Sequence, residues 1–457
     1  MVRDYFETAG LGEYVTQIVV TNGTNSKSVF AAAQMFTDSY FINMLGIDRL
    51  NTPAAGTAEE SLADIEVSLV LDVSGSMGWT SSSSGNKKID DLIDAAQEFV
   101  FLMQCNPDDP NVSPVVCTVD EDTVSVSVIP YSEQVLVGET LLQEFNPTME
   151  HTASSCVDFD SDDFWATAIS LTAQIQRTAE LDPWTNYRYR STSSSFATDR
   201  NRSCKPWPTR EILPFGNDYS TIQAFIGALT ASGNTSIDLG MKWGTALLDP
   251  TLRPAVSNLT SGGSPMIDPA FDGRPFDYDD RGMQKVIVLM TDGENTSQHY
   301  VLDNNRTGLS DFYRDPGSGR LSAYRYYYGA DRWWWPHSRQ WQSYPYGGSA
   351  NAVRLTYEEF WAGYNGDAHE EIATWLPDPF ESHGYTEKNA RLDAICDAAK
   401  AANIEVFTIG FETSTASNAI MQSCASSASH HFDVDGLDLS NAFAAIAREI
   451  HELRLIN

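Results

Sequence analysis

The stretch Ile65-Glu66-Val67-Ser68-Leu69-Val70-Leu71-Asp72-Val73-Ser74-Gly75-Ser76-Met77 decides the fold of this 457-residue chain. Its first seven residues form a nearly continuous apolar run, which is typical of a strand buried in a parallel sheet. The run ends in Asp72, Ser74 and Ser76, three oxygen-bearing side chains spaced two residues apart. In an open α/β sheet, ligands bind beyond the carboxyl ends of the strands. The stretch therefore predicts a central strand that leads directly into a binding site.

Further apolar strands and several amphipathic helices follow this stretch. The sequence predicts strands at residues 115–118, 124–129, 285–290, 404–410 and 431–434. Apolar residues at helical spacing predict helices at residues 88–104, 219–230, 386–402, 418–426 and 439–455. Buried strands that alternate with amphipathic helices indicate an α/β fold, here a doubly wound and largely parallel sheet.

Long irregular stretches interrupt this pattern. Residues 140–216, 250–282 and 296–385 are interpreted as insertions because turn-forming and polar residues dominate them. Without them, the span 65–457 has the size of a single domain. Residues 1–64 contain short alternating runs separated by turn signals, which predicts a small β-rich segment. The expected organisation is one sheet domain with large insertions, preceded by this segment.

The composition limits the kinds of partner. The chain carries 62 acidic and 29 basic residues, a formal net charge of −33, and 42% of its residues are hydrophobic. That hydrophobic fraction is typical of a globular protein, and the negative charge repels phosphate backbones, which disfavours nucleic-acid binding. A cation or a basic partner is the more natural expectation. No apolar run is long enough to span a membrane and no signal-peptide pattern is present, so the chain as given is expected to be soluble.

Six cysteines are scattered along the chain without a C-x-x-C pair, which disfavours a zinc ribbon or a thioredoxin-like site. An even set of this kind favours disulfides in an oxidising compartment, with buried free thiols in the cytosol as the alternative. The simplest pairing joins sequence neighbours: Cys105 with Cys117, Cys156 with Cys204, and Cys396 with Cys424.

Two more oxygen-bearing positions match the first stretch. Thr235 lies in a Gly-Asn-Thr turn before a predicted helix, and Asp292 follows the strand at 285–290. With Asp72, Ser74 and Ser76 they provide two carboxylates and three hydroxyls, a set that suits a hard divalent cation. Mg²⁺ is the expected ion, with Mn²⁺ and Ca²⁺ as alternatives, and the absence of His and Cys from the set disfavours zinc. The structural alternative is a serine-rich turn, a helix cap and a turn aspartate without a metal.

These motifs resemble the metal-ion-dependent adhesion site of von Willebrand factor type A domains. The resemblance rests on Asp72-x-Ser74-x-Ser76, on Thr235 and on Thr291-Asp292-Gly293, in that order along the chain. It implies a Rossmann-type sheet over most of residues 65–457. It also implies that Ser74, Ser76 and Thr235 contact the metal through their hydroxyls. Asp72 and Asp292 are then expected to bind directly or through water.

A narrower resemblance is to the bacterial tight-adherence (Flp-type) pilus assembly proteins called TadG. It rests on residues 69–77, 129–132, 240–244 and 285–290, and on the C-terminal end from 432 to 455. The family implies a small β-rich segment followed by a von Willebrand A domain that faces the periplasm or the cell surface. It also implies an N-terminal membrane helix as a tether. Residues 1–64 resemble only the β-rich segment, and the expected tether is absent from this sequence.

Two other segments each allow a functional and a structural interpretation. The run Asp158-Phe159-Asp160-Ser161-Asp162-Asp163 begins like a calcium loop. Asp163 and Ile169 stand where an EF-hand needs Gly and Glu, which favours a solvated acidic loop.

Residues 324–346 are dense in Tyr and Trp. They predict either a contact surface for carbohydrate or protein, or the small core that a long insertion needs, and the second interpretation is favoured.

These resemblances imply a non-enzymatic binding module of the bacterial cell envelope that serves pilus assembly or surface attachment. In this hypothesis, a partner protein offers an acidic side chain to the open coordination position of the cation. A metal-dependent phosphoesterase is the first alternative, with Glu294 and His299 as the nearest candidate bases. An intracellular von Willebrand A scaffold that partners an ATPase or chelatase is the second, and free thiols on the six cysteines would favour it.

Overall fold

The computed structural model describes residues 6–22, 26–38, 49–61, 64–105, 123–185, 199–280 and 282–454. The chain divides into two compact units. One comprises the described parts of residues 1–64, 281–284 and 449–457, and the other comprises those of 65–280 and 285–448. Within the described ranges, no helix has both the length and the apolar character that a membrane span requires.

The first unit is built on a three-stranded antiparallel sheet. Its strands, in the order β1-β2-β3, are β1 (Val15–Asn22), β2 (Ser26–Asp38) and β3 (Arg49–Ser61). The short alternating runs predicted in this segment, at residues 15–20 and 28–33, fall within β1 and β2. Residues 41–47, which the tight-adherence resemblance includes in the β-rich segment, lie outside the described residues.

The remaining strands are β4 (Asp64–Asp72), β5 (Val124–Tyr131), β6 (Asn146–Pro147), β7 (Val157–Asp158), β8 (Gln174–Arg177), β9 (Leu213–Gly216), β10 (Met283–Thr291), β11 (Gln298–Val301), β12 (Leu309–Arg314), β13 (Leu321–Tyr327), β14 (Ala330–Trp335), β15 (Gln340–Gln342), β16 (Val353–Thr356), β17 (Phe380–His383), β18 (Glu405–Phe411) and β19 (His431–Val434).

The helices are α1 (Lys88–Gln104), α2 (Glu139–Leu142), α3 (Tyr219–Gly227), α4 (Ile237–Ala246), α5 (Arg253–Leu259), α6 (Tyr357–Gly363), α7 (Gly366–Ile372), α8 (Tyr385–Ala401), α9 (Thr415–Cys424) and α10 (Leu439–Arg454).

The main sheet of the second unit has six strands in the order β19-β18-β10-β4-β5-β9. Parallel pairing joins β10 to β18, β18 to β19 and β4 to β5, and the edge strand β9 pairs antiparallel to β5. Helices α4 and α8 pack together, as do α1 and α3. The expected α/β class with a mostly parallel sheet is confirmed.

Burial explains the apolar character of the central strands. Every residue from Ile65 to Asp72 in β4 is buried. Glu66, an acidic residue within this run, is tolerated because its carboxylate lies 2.5 Å from the Lys285 ammonium on β10. Lys285 also donates to the Leu248 carbonyl at 2.9 Å. A buried charge with this many partners avoids most of the cost of an unpaired ion.

Two glycines allow helix α4 to approach the sheet closely. A Cβ at Gly240 would lie 2.6 Å from the Tyr131 ring, and a Cβ at Gly244 would lie 2.7 Å from Val70 Cγ2. Neither distance leaves room for a methyl group in a close-packed interior. The helix that follows Thr235 is therefore held directly against β4 and β5, and its first residues lie near the ends of these strands.

The structure corrects several expected boundaries. Residues 253–259 were expected to be loop but form helix α5, because Pro254 suits a first helical turn and Val256 and Leu259 are buried. Helix α3 ends at Gly227 rather than at residue 230. The insertion at 296–385 is not irregular, since it contains β11 to β17 with α6 and α7. The strand expected at 115–118 lies outside the described residues.

Two of the three expected disulfides are present in the structure. Cys156 pairs with Cys204 and Cys396 pairs with Cys424, with Cα–Cα distances of 5.9 and 5.1 Å. Cys105 is also disulfide-bonded, while its expected partner lies outside the described residues. None of the described cysteines is a free thiol.

The long insertion contains an apolar core of its own. Phe312, Ala323 and Leu355 from its five-stranded sheet pack with Phe360 and Trp361 of helix α6. His369 of α7 is buried in the same place, with its ring centroid 5.0 Å from that of Phe312 and 5.9 Å from that of Trp361. This burial lowers the pKa of His369 to about 4 because the charged imidazolium would lose its hydration.

Replacing His369 with Phe should make the protein less sensitive to acid. The unfolded chain takes up a proton near pH 6.5 and the folded chain only near pH 4, so folding stability is lost as the pH falls between these values. The loss from this group is about 3 kcal/mol. Thermal unfolding of both proteins between pH 7 and pH 4 measures it. We expect a steeper decline for the wild type, and parallel curves would contradict the assignment.

Candidate metal centre

Four of the five expected ligands lie in one chain of hydrogen bonds. Asp72 Oδ1 accepts from the Ser74 backbone N–H at 2.7 Å. The hydroxyl oxygens of Ser74 and Ser76 are 3.1 Å apart, and the Ser76 hydroxyl donates to Asp292 Oδ1 at 2.7 Å. The hydroxyl of Thr291, the residue before Asp292, donates to Asp72 Oδ2 at 2.8 Å. The ends of β4 and β10 thus bring both carboxylates and two hydroxyls together.

Thr235 reaches the same edge of the sheet through backbone contacts. The Gly75 N–H donates to the Gly233 carbonyl at 2.7 Å, and the Ser232 N–H donates to the Val73 carbonyl at 2.9 Å. These two bonds hold the turn before α4 against the loop that follows β4. Among the described residues, no hydrogen bond links the Thr235 hydroxyl to the other four side chains. Thr235 is therefore a neighbour of the hydrogen-bonded set rather than a member of it.

The two carboxylates repel each other in a buried setting. Asp72 is fully buried, and its pKa is raised to about 7, first by burial and second by the negative charge of Asp292. The hydrogen bonds from Ser74 and Thr291 act in the opposite direction but do not cancel the effect. A cation between the carboxylates would remove the repulsion. Ser76 is the most exposed of the five residues, so the site opens towards solvent on its side.

Lys88, the first residue of helix α1, forms an ion pair with Asp292. Its Nζ lies 3.1 Å from Asp292 Oδ2 and 3.6 Å from Glu412 Oε2. The carboxylate of Glu412 in turn accepts hydrogen bonds from the hydroxyls of Ser81 and Ser82, both at 2.8 Å. The serine-rich loop before α1 therefore holds Glu412, and Lys88 lies between this acid and the predicted metal ligand.

Two further buried cations fix the loops that carry the site. The Arg210 guanidinium donates to the carbonyls of Val73 and Ser232, which ties together the two loops described above. The Lys388 ammonium donates to the Thr235 carbonyl at 2.7 Å and to the Thr296 carbonyl at 2.8 Å. Burial lowers the pKa of Arg210 to about 10 and that of Lys388 to about 8. Both bind backbone carbonyls of the ligand loops, and among the described residues neither donates a hydrogen bond to Asp72 or Asp292.

The donor set fits a hard divalent cation. Asp292 Oδ2 is buried and has no hydrogen-bond partner, although the Lys88 ammonium lies within ion-pair distance. A carboxylate oxygen that accepts no hydrogen bond, beside a second carboxylate and two hydroxyls, suits an oxygen-preferring ion that displaces the Lys88 ammonium. No group of three or more His, Cys, Asp or Glu side chains in the described part of the chain could hold a metal ion by itself. A metal at this edge therefore has to use hydroxyl oxygens as well as carboxylates.

The candidate bases of the phosphoesterase alternative both have protein partners. Glu294 Oε1 accepts from the Ser414 hydroxyl at 2.6 Å. His299 Nδ1 lies 2.8 Å from Glu133 Oε1, and Glu133 is fully buried. The Glu294 side chain is therefore bonded to Ser414, and the His299 side chain on β11 is bonded to Glu133.

A lysine ammonium occupies the loop that begins like a calcium site. Lys242 Nζ donates to the carbonyls of Asp163, Ala166 and Ala168 at 2.7, 2.8 and 2.8 Å. The Asp158 carboxylate accepts from the Thr178 hydroxyl at 2.8 Å. The oxygens that face inward from this loop thus serve protein donors.

Lys88, Arg210 and Lys388 are the parts of this site that the sequence motifs did not reveal, whereas Thr291 belongs to the motif at Asp292 but was not expected to bond to Asp72. Thr291 had a signal, since it stands next to Asp292 at the end of a buried strand. The three cations had no sequence signal beyond the scarcity of basic residues in an acidic chain. Their partners are distant in sequence, so no local pattern encodes those contacts.

The comparisons with known proteins find distant likenesses only. No family model matches the chain, and no curated protein matches it. Among solved structures, the vWF domain of the type V pili tip protein Mfa5 from Porphyromonas gingivalis is similar at 14% identity and a TM-score of 0.36, covering 86% of this chain and 97% of that chain. Two crystal forms of proximal thread matrix protein 1 from the mussel byssus are similar at 10% and 9% identity, with TM-scores of 0.31 and 0.29. This chain spans less than half of those two chains, with 47% and 45% covered.

Replacing Lys88 with Met should tighten Mg²⁺ binding about tenfold. The ammonium lies beside one of the proposed ligands, and two cations a few ångströms apart repel each other even at a protein surface. Isothermal titration of the metal-free protein with Mg²⁺ measures the dissociation constant. Lys87→Met is the matched control, because Lys87 is exposed and should leave the affinity unchanged. Equal or weaker binding by Lys88→Met would show that the lysine supports the site rather than competing with the metal.

Proposed function

We propose that this chain is a metal-ion-dependent binding module of the bacterial cell envelope, built on a doubly wound von Willebrand A-like domain. One observation carries the proposal: Asp72 and Asp292, with Ser74 and Ser76, form a single hydrogen-bonded set in which the two acids repel and Asp292 Oδ2 accepts no hydrogen bond, with the Lys88 ammonium 3.1 Å away. Such an arrangement favours binding of a divalent cation, with Mg²⁺ as the proposed ion.

Each residue of the set has a distinct role in this proposal. Asp72 and Asp292 balance the charge of the ion, and Ser74, Ser76 and Thr235 offer neutral oxygens that do not overcharge it. Bound Mg²⁺ supplies an open coordination position that accepts a carboxylate oxygen. Arg210 and Lys388 hold the backbone of the ligand loops, so that the oxygens stay in place when a partner binds. The proposed partner is a protein that offers an acidic side chain on the solvent side of Ser76.

The proposed location and biological role rest on two separate supports. Disulfides persist in oxidising compartments, and the pairs Cys156–Cys204 and Cys396–Cys424 favour the periplasmic or extracellular face of the envelope. The resemblance of the sequence to tight-adherence proteins favours pilus assembly or surface attachment.

The proposal predicts that Asp72→Asn and Ser76→Ala abolish Mg²⁺-dependent capture of a partner. The chain is immobilised and exposed to a detergent-free extract of cell-envelope proteins in Mg²⁺ or in EDTA, and the captured proteins are identified by mass spectrometry. We expect a protein that is retained in Mg²⁺, released by EDTA and lost with either variant. Weakened Mg²⁺ affinity in titrations of both variants should accompany the loss, because each substitution removes a ligand oxygen.

Ser82→Ala serves as the matched control. Ser82 belongs to the neighbouring serine loop and donates to Glu412 rather than to the ligand set, so capture should be unchanged. Circular dichroism of every variant checks that the fold survives. Capture that is the same in EDTA as in Mg²⁺ would refute the proposed role of the metal.

A further inference from the structure

Lys88 lies between two carboxylates that come from neighbouring strands of the main sheet. Asp292 follows β10, and Glu412 follows β18, which pairs with β10. The Lys88 ammonium is 3.1 Å from Asp292 Oδ2 and 3.6 Å from Glu412 Oε2. The Lys88 side chain is 9% exposed, and those of Asp292 and Glu412 are 0% and 12% exposed. One cation is thus shared by two acids in a setting that is largely closed to water.

The two carboxylate oxygens of Glu412 have different partners. Oε1 accepts from the backbone N–H of Ser82 at 2.9 Å and from the hydroxyls of Ser81 and Ser82, both at 2.8 Å. Oε2 accepts none of these bonds, and within the described part of the chain its partner is the Lys88 ammonium. The serine-rich loop before α1 therefore fixes the carboxylate through one oxygen and leaves the other for the lysine.

The backbone at Glu412 is held in a conformation that favours glycine. Its φ is +51°, in the left-handed region where a residue with a Cβ is strained. The Glu412 N–H donates to the Val434 carbonyl at 2.9 Å, which holds the chain in this conformation. Strain of this kind persists where surrounding contacts impose it, and it is concentrated at functional sites. The contacts of the Glu412 side chain are those to the serine-rich loop and to Lys88.

Glu412 offers Lys88 a second partner at almost no distance. The ammonium would lose Asp292 as its partner if a divalent cation bound there, because like charges repel. A largely buried charge that loses its partner is strongly destabilising. Glu412 Oε2 is already within ion-pair distance of the ammonium, so a small movement of the lysine side chain completes the change of partner. Neither Lys88 nor Asp292 is then left without an opposite charge.

We propose that Glu412 is a positioning residue of the metal centre, which receives the Lys88 ammonium when the proposed cation binds at Asp292. In the metal-free protein, Lys88 offsets the charge of Asp292. In the Mg²⁺-bound protein, Lys88 pairs with Glu412 instead. The affinity for Mg²⁺ then depends on how readily Lys88 changes partners, as well as on the ligand oxygens. This inference rests on the proposed metal-dependent function.

A double-mutant cycle in Mg²⁺ affinity tests the proposal. Glu412→Gln keeps an oxygen that accepts from the serines but removes the charge that receives Lys88, so it should weaken Mg²⁺ binding about fivefold. In the Lys88→Met background there is no ammonium to receive, and the same substitution should change the affinity by less than about twofold. Isothermal titration of the whole chain with Mg²⁺ gives the four dissociation constants. A purely structural role of Glu412 would not make its effect depend on Lys88.

Asp90→Asn is the matched control. Asp90 is exposed in the first turn of α1, and no ion pair in the described part of the chain joins it to Lys88. The substitution removes one negative charge two residues from Lys88 without removing a contact to the ammonium. The affinity should therefore stay within about twofold of the parent protein in both backgrounds, since exposed charges are screened by solvent.

Two results would overturn this inference alone. Equal weakening by Glu412→Gln in both backgrounds would show that Glu412 acts on the ion through its charge and not through Lys88. Unchanged affinity of Glu412→Gln in the wild-type background would show that Lys88 needs no second partner. In both cases the chain still binds Mg²⁺, so the proposed function stands. Failure of all four proteins to bind Mg²⁺ would refute the proposed function and this inference together.

Discussion

The repulsion between two buried carboxylates is the constraint on which this structure depends. Asp72 ends one central strand and Asp292 follows its neighbour, so the sheet itself forces the two acids to the same edge. Burial and this repulsion raise the pKa of Asp72 to about 7. The surrounding structure stabilises the two carboxylates: hydroxyls donate to both acids, and the Lys88 ammonium lies beside Asp292. The arrangement costs folding free energy unless a cation offsets it.

The rigid surroundings of the acids make the arrangement useful for binding. Gly240 and Gly244 let helix α4 press against the sheet, and the buried cations Arg210 and Lys388 tie the loops to one another through backbone carbonyls. A set of oxygens that cannot relax around a ligand would hold those oxygens ready for the proposed cation. The insertion follows a different principle. The rings of its sheet are divided between a face that packs on the insertion core and a second face, on which Trp335 packs against Tyr344 and Tyr346.

The sequence predicts those parts of the fold that depend on local patterns. The apolar runs predict strands β4, β10 and β18, and the helical spacing of apolar residues predicts helices α1 and α8. Both patterns can be read from the sequence because they follow directly from which side chains are buried. The Asp-x-Ser-x-Ser turn is also predicted from the sequence, because it directly follows the apolar run of β4. Helix α5 was missed because Pro, Gly and Asp around it are typical of loops, whereas tertiary burial of Val256 and Leu259 decides the outcome. Lys88 and Lys388 were missed because their partners come from distant segments. For residues 324–346, composition could not assign each ring to a face, since that depends on strand register.

A crystal structure of the whole chain grown with Mn²⁺ tests the central claim most directly, since the anomalous signal of Mn²⁺ marks the ion without ambiguity. The account predicts one strong anomalous peak bordered by oxygens of Asp72, Ser74, Ser76, Thr235 and Asp292. It also predicts that the Lys88 ammonium has moved away from Asp292. A structure without a peak at this edge, in which Lys88 still lies 3.1 Å from Asp292, would contradict it.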